Sequence, residues 1–455
     1  MPAVFPFRAV TYRLAPGTTM DLSEVVAPPY DVLDVKGKAA LLARDERNIV
    51  AADLPHIPAK ELGPAQAYSG AAAWIQERLR EGTLARMEAP AMFVYRETFT
   101  FAGKVFKRSG MACALEVKPF GARPGGGILP HEETFSGPKA DRLALMKATR
   151  MQLSAIFGLH QDETGKAARL MRDICATRAP EMQGTTPDGT LHEVWIVRDP
   201  LAQQRYQEAL RGEDVFIADG HHRYNTALNY LAEREQAGTV GPEDGARRCM
   251  FVLISMGDPG TVIGPTHRVL GGMSGYSLEA FERAAAGLLK LTPAGSGEAA
   301  LRGLEEKMGA ASARAGGLST LGVYDFASGA CFTAQPTSAD PLAAKYPERT
   351  PAWRTLDVAL IQEVVVEQIC KPALNAGAPV KWGFPHSIDE VVAIGAGAET
   401  GAGGGAGFVP QVAVIVRPTP LEAVRAVSRA GQLMPQKSTF FFPKVATGLF
   451  MSELG

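Results

Sequence analysis

The sequence predicts an α+β protein in two parts: a mixed α/β core over residues 1–272 and a second α+β domain over residues 273–455. Short apolar runs suited to strands alternate along the chain with stretches whose apolar residues recur every three or four positions, as in amphipathic helices. At 455 residues the chain is about three times the roughly 150 residues of a typical domain, which leads to an expectation of two or three domains. Three glycines in Gly271-Gly272-Met273-Ser274-Gly275 interrupt both kinds of element and place the division there.

Taken in chain order, apolar runs predict strands at residues 91–95 and 111–117, followed by a mobile Pro/Gly-rich loop over 121–130. A helix starts near Lys139 and carries Leu143, Met146 and Arg150, with Ser136 or the Gly137-Pro138 pair marking its start. Residues 194–197 and 215–218 read as buried strands. The second leads into a helix from His222, in which Tyr224, Ala227, Leu228 and Leu231 share one face.

Beyond the glycines, Ser277 caps a helix ending near Leu289, and residues 321–324 form a strand. Leu356, Leu360, Ile361, Val364 and Ile369 mark a further helix. Ser387-x-x-Glu390 and Thr419-Pro420-x-Glu422 have capping-box spacing, and residues 412–416 form a strand between them. Residues 395–407, almost wholly Gly, Ala and Thr apart from Glu399, read as a flexible surface loop.

Composition narrows the function classes. Hydrophobic residues at 46% and charged residues at 21% are globular values. With 47 Lys+Arg against 48 Asp+Glu there is no net field to draw a nucleic acid or an anionic membrane, so neither is an expected partner. Apolar runs such as 250–254 fall far short of the ~20 residues of a membrane helix. Arg8 and Arg13 interrupt the first residues and no small-residue cleavage site follows, so a cytoplasmic location is expected. Five scattered cysteines without C-x-x-C spacing predict neither a disulfide framework nor a structural zinc site.

The densest chemistry lies in Asp219-Gly220-His221-His222-Arg223-Tyr224, where an apolar strand meets a tight turn and then a helix. A helix start offers N–H groups and the positive dipole end to an anion, and His221, His222 and Arg223 add donors for phosphate oxygens. Asp219 can hold Mg²⁺, accept a proton from an attacking hydroxyl, or merely cap the helix. Ala27-Pro28-Pro29-Tyr30-Asp31-Val32 sets a phenol and an acid on a rigid turn. His131-Glu132-Glu133-Thr134 and Asp141-Arg142 flank a helix start, and Gly264-Pro265-Thr266-His267-Arg268 ends an apolar run. The last block, 434–444, offers Lys437, Ser438 and Thr439 to a ligand, its three phenylalanines reading as core. A zinc reading of His131, His221, His222 and His267 lacks the fixed spacing of common sites.

Together these blocks resemble a widespread family catalogued as domain of unknown function ten-fifteen. The matching stretches are Pro28-Pro29-Tyr30-Asp31, His131-Glu132-x-Thr134, Pro138-Lys139-x-Asp141-Arg142, the Asp219 to Tyr224 box, Pro265-Thr266-His267-Arg268 and Met434-Pro435-Gln436-Lys437-Ser438-Thr439. The Asp219 box is also similar to the phosphate-binding box of the ParB/sulfiredoxin superfamily, whose members bind nucleotides. Free serine kinases of that superfamily carry a closely similar Asp-Gly-His-x-Arg stretch. Sulfiredoxins place a reactive cysteine where this chain has His221, and ParB proteins add a DNA-binding helix-turn-helix with no clear counterpart here.

The resemblance implies a ParB/sulfiredoxin-like nucleotide-binding core in residues 1–272 and a kinase that phosphorylates the hydroxyl of free L-serine to O-phosphoserine. ATP or ADP is then the donor, with Mg²⁺, and serine or a similar hydroxy compound the acceptor. Asp219 matches the catalytic aspartate and metal ligand, and the second acid falls among Glu24, Asp31 and Glu133. Gly220, His221, His222 and Arg223, with His131, Arg142, Thr266, His267 and Arg268, are the expected phosphate contacts. Tyr30, Lys437, Ser438 and Thr439 are the expected substrate contacts, all the blocks being arranged around one site. The alternative is a regulatory switch that binds ATP or CTP without metabolite chemistry.

Overall fold

The computed structural model describes residues 2–15, 17–58, 61–133, 136–397 and 407–454, with the side chains of Ser136 and Pro138 set aside. Thr134 and most of the expected 395–407 loop lie outside the described residues. The fold is α+β. It divides into one unit of residues 1–130, 134–262 and 441–455 and another of 131–133 and 263–440. The division thus falls at Val262/Ile263 rather than at Gly271–Gly275, and the last residues return to the first unit. Both differences follow from pairing: Arg268–Gly271 is a strand between two neighbours in the second unit's sheet, and Met451–Glu453 pairs with Ala9–Tyr12 and Met151–Gln152.

Among the described residues the first unit is built on a ten-stranded mixed sheet. Its backbone is the hairpin of Met92–Phe101 and Lys104–Glu116, joined by Ala102 and Gly103 at φ 48° and 73°. Two consecutive positive φ values give a turn whose twist matches that of the strands. Lys104–Glu116 continues to Arg248–Ser255, then Ile156–His160, then Val215–Asp219 and finally Ile128–Leu129. The last of these is a buried strand inside the loop expected to be mobile, held because Ile128 and Leu129 pair in parallel with Val215 and Phe216. Helices Ser136–Thr149 and His221–Gln236 pack on each other, the first beginning three residues earlier than Lys139. Tyr224, Ala227 and Leu231 enter the core as their spacing predicts.

A buried polar string crosses this sheet: the Tyr95 hydroxyl lies 2.6 Å from His192 Nδ1, and Thr186 Oγ1 2.9 Å from His192 Nε2. Burial pushes the His192 imidazole down to about 4, so the folded ring is neutral. An unfolded histidine titrates near 6.5, so acidification between about 6.5 and 4 protonates the unfolded chain first and stability falls; above 6.5 the group contributes nothing. Moving from pH 7 to pH 5 should cost about 2 kcal/mol through this residue. Urea unfolding at both pH values should show a smaller loss in His192→Gln, and an equal loss would contradict the assignment.

The second unit carries a six-stranded sheet among the described residues, in the order Leu289–Ser296, Ala330–Pro336, Leu321–Asp325, Pro410–Ile415, Arg268–Gly271, Lys381–Gly383. Ser277 does cap its helix, accepting from Ala280 N–H at 3.1 Å, but Leu278–Ala285 ends early because Gly287 turns at φ 86° into the strand from Leu289. Ser387 accepts from Glu390 N–H at 3.1 Å as expected. Thr419 does not cap: its hydroxyl donates to Ser438 O at 2.7 Å, and Pro420 stands at the helix start. The helix expected from Leu356 is α-helical only over Asp357–Leu360 and continues as a π-helix over Ile361–Leu374. Its buried residues repeat at five, Leu360, Val365, Cys370 and Val364, Ile369, Leu374, which suits a wider helix than the α form. All five cysteines are free thiols, four of them buried. Among the described residues no helix is long and apolar enough to cross a membrane.

Candidate phosphate site at a strand-to-helix turn

Val215–Asp219 is a buried strand until its last residue. It pairs with Ile156–His160 in regular register through Ile217, then slips so that Asp219 faces Phe157. The extra residue, Ala218, is a bulge, a device that redirects the next side chain. Gly220 follows at φ 95° and is the N-cap of the helix, which no side chain caps. Asp219 therefore does not cap. One of its carboxylate oxygens accepts from Arg223 Nη2 at 2.5 Å and the other from Lys444 Nζ.

Arg223 is itself fixed, since its second nitrogen donates to Ala155 O. The Asp219 side chain is only 13% exposed. Burial alone would raise its carboxyl, but Lys444 and Arg223, with His221 close by, hold it well below the usual carboxylate range. Asp219 is thus ionised at rest, clamped by two cations at a helix N-terminus. Those cations and the dipole give the turn a surplus of positive potential suited to phosphate oxygens.

Gly220 is needed twice over. A side chain would be strained at φ 95°, and its Cβ would stand 3.0 Å from Arg223 Nε. Gly220→Ala should cost about 1–2 kcal/mol and displace the guanidinium. Thermal melts joined to nucleotide titration check this; unchanged stability and affinity would show that the turn tolerates a Cβ.

Tyr30 and Asp31 sit in a short 3₁₀ turn, Tyr30–Val32. Tyr30 is buried with the Arg142 guanidinium 3.9 Å over its ring. Tyr30, Arg142, Arg223, Asp53 and Ser154 border one small cavity of about 40 Å³. Arg142 is held from two sides. Its Nε donates to Asp141 at 2.7 Å and its Nη1 to Asp53 O at 2.6 Å. His56 and Tyr68 secure Asp141 in turn, at 2.6 and 2.7 Å.

Of the remaining expected residues, Glu24 and His222 lie in the first unit and the others within the second. His131 Nε2 lies 2.8 Å from Thr439 Oγ1, Glu132 accepts from the Lys437 backbone N–H, and the Ser438 hydroxyl donates to Pro435 O. Thr266 is buried, 3.4 Å from His386 Nδ1. His267 is fully buried, and its Nδ1 accepts from Val416 N–H at 3.2 Å. Burial pushes His267 down to about 3, so the ring is neutral with its proton on Nε2 and offers no positive charge to a phosphate. Glu133 is exposed. The four histidines of the zinc reading fall in two units, His221 and His222 in the first and His131 and His267 in the second.

Mg²⁺ fits Asp219 poorly, because each carboxylate oxygen already takes a cationic donor. Among the described residues no group of three or more His, Cys, Asp or Glu is arranged to hold a metal ion.

Sequence reasoning missed Lys444, which follows Pro443 at the end of the last block and looks like any solvated lysine. It also missed Glu97 and Arg108, a fully buried pair at 2.6 Å. Arg108 donates to Phe442 O at 3.0 Å and Pro443 O at 2.6 Å, fixing the backbone that presents Lys444.

Among solved structures, a mutant free serine kinase in complex with ADP is 11% identical, with 72% of this chain and 95% of that chain covered at a TM-score of 0.32. A conserved hypothetical protein from Pyrococcus furiosus is 13% identical, with 72% and 96% covered at 0.29. SbnI with a C-terminal truncation from Staphylococcus aureus is 8% identical, with 70% and 82% covered at 0.31. No curated protein matches the chain. A family model spans residues 4–359, which takes in the Tyr30, Arg142, Asp219 and Arg268 blocks, and the chain belongs to that family, described as Protein of unknown function (DUF1015).

Proposed function

We propose that the chain is a nucleotide-dependent kinase that phosphorylates the hydroxyl of free L-serine, with ATP or ADP as donor. The observation that carries this reading is the bulged strand end at Asp219, with Lys444 and Arg223 converging on its carboxylate at an uncapped helix start. The serine acceptor comes from the resemblance of the Asp219 box to free serine kinases.

Phosphoryl transfer asks mainly for positioning and for positive charge beside the equatorial oxygens. In this reading the helix N-terminus and Arg223 receive the phosphates, and Lys444 meets the transferring group. The serine hydroxyl donates a hydrogen bond to Asp219. Its oxygen attacks the terminal phosphorus, the bond to the departing nucleotide oxygen breaks, and the hydroxyl proton passes to the carboxylate and on to solvent. The proton leaves late in a loose transition state, so a weakly basic carboxylate suffices. Tyr30 and Asp31, beside Arg223, are the substrate-side candidates, and Asp31 Oδ1 is buried without a hydrogen-bond partner among the described residues.

Calorimetry tests the reading. A kinase binds a nucleotide and also L-serine. Nucleotide binding with no response to serine would support the regulatory switch, and no binding of ATP or ADP would remove both.

A further inference from the structure

We propose that the second unit holds a binding site for a small organic anion, a carboxylate or phosphate on one flat aromatic or heteroaromatic ring, with Arg268 as its anion contact. The site is a cavity of about 490 Å³ bordered by the π-helix Ile361–Leu374, the segment from Trp382 to Phe384, and residues 433–436. That volume lies within the roughly 300–1,000 Å³ of small-molecule pockets.

Arg268 lines this cavity and is 2% exposed. Its Nη1 donates to Thr266 O at 2.5 Å and its Nη2 to Lys437 O at 2.9 Å and Gln436 O at 3.3 Å. These acceptors are neutral carbonyls. Among the described residues Nε–H has no partner and no carboxylate makes a salt bridge with the guanidinium. Burial pushes it down to about 10, opposed by Glu132, whose carboxylate already accepts from the Lys437 backbone. Glu132 offsets that burial only in part and forms no ion pair with the guanidinium, so part of the desolvation penalty of a buried cation remains, a penalty that an anion in the cavity would relieve.

The walls suit a flat ring. Trp382 and Phe384 stack at 6.0 Å and 10°, and the Arg268 guanidinium lies 5.0 Å from the Phe384 ring. Trp353 lies under Arg349 at 4.9 Å. Three carboxylates line the cavity: Glu363 is paired with Lys345 at 2.8 Å and Glu367 with Lys371 at 3.0 Å, which offsets their charge, and Glu133 is exposed to solvent, which screens it. Two features mark the site as held under strain: π-helical turns recur at functional sites, and Lys437, whose carbonyl takes Arg268, has φ 58° without being glycine.

The test is calorimetry on the full chain with phenyl phosphate, benzoate, AMP and inorganic phosphate, repeated on Gln362→Phe and Arg268→Lys. Gln362 is half-buried on the cavity wall, so the larger side chain fills the space without touching Arg268's bonds. The site predicts saturable binding of at least one ring-bearing anion, at least tenfold weaker binding of inorganic phosphate, and at least a tenfold loss in Gln362→Phe. Binding of AMP alone, lost in Gln362→Phe, assigns a nucleotide source; AMP binding that survives that variant belongs elsewhere and, with no other probe bound, overturns the site. Absence of binding by every probe to the folded chain overturns it equally, as does a ring-bearing anion that Gln362→Phe binds unchanged.

Discussion

Asp219→Asn should lower serine phosphorylation by about a thousandfold while nucleotide affinity holds or rises. The side chains are nearly isosteric, so the bulge and turn survive, but the anion that accepts the serine hydroxyl in the kinase reading is gone. Lys444 and Arg223 lose their shared counter-ion, leaving one buried and one half-buried cation that welcome phosphate oxygens more strongly than before. Turnover and calorimetry on the same preparation separate the effects. A variant active within threefold of the wild type would make Asp219 a structural counter-ion and nothing more.

The second large effect is on stability. Arg108 and Glu97 are both wholly inaccessible, and every Arg108 nitrogen is engaged, by Glu97, Phe442 O and Pro443 O. Its guanidinium also lies 4.6 Å over the Phe157 ring. Arg108→Met strands a buried carboxylate and should destabilise the fold by about 3–5 kcal/mol. Adding Glu97→Leu removes the stranded charge, so urea unfolding should recover much of that loss. Activity should not recover with it, because the carbonyls of Phe442 and Pro443 stay untethered and Lys444 is no longer held on Asp219. Recovery of both together would show that Arg108 has no part in placing Lys444.

Lys444 and the Arg108 pair also show where sequence ceases to be informative. The Asp219 box was legible because an apolar strand, a glycine and a cluster of donors occupy ten consecutive residues. Core faces such as Tyr224, Ala227 and Leu231 were legible because helical spacing is local. The Arg108–Glu97 pair reads as an exposed, charged hairpin end, since no local pattern says that residues 442 and 443 will cover it. The same holds for Met451–Glu453: three residues carry no period, and their place is set by partners hundreds of positions away. The π-helix was visible as a spacing of five in Leu360, Val365 and Cys370, but an expectation of 3.6 absorbs those residues into an α-helix. Thr419 had the right spacing for a cap, and its hydroxyl went instead to Ser438 O, a competitor that spacing does not encode.

The most direct measurement is product formation. The purified 455-residue chain is incubated with L-serine, Mg²⁺ and either ATP or ADP, and O-phosphoserine is followed by mass spectrometry beside the Lys444→Met variant. The kinase reading predicts phosphoserine from at least one nucleotide and its loss in the variant. A folded chain that binds nucleotide yet forms no phosphoserine from either donor would contradict it.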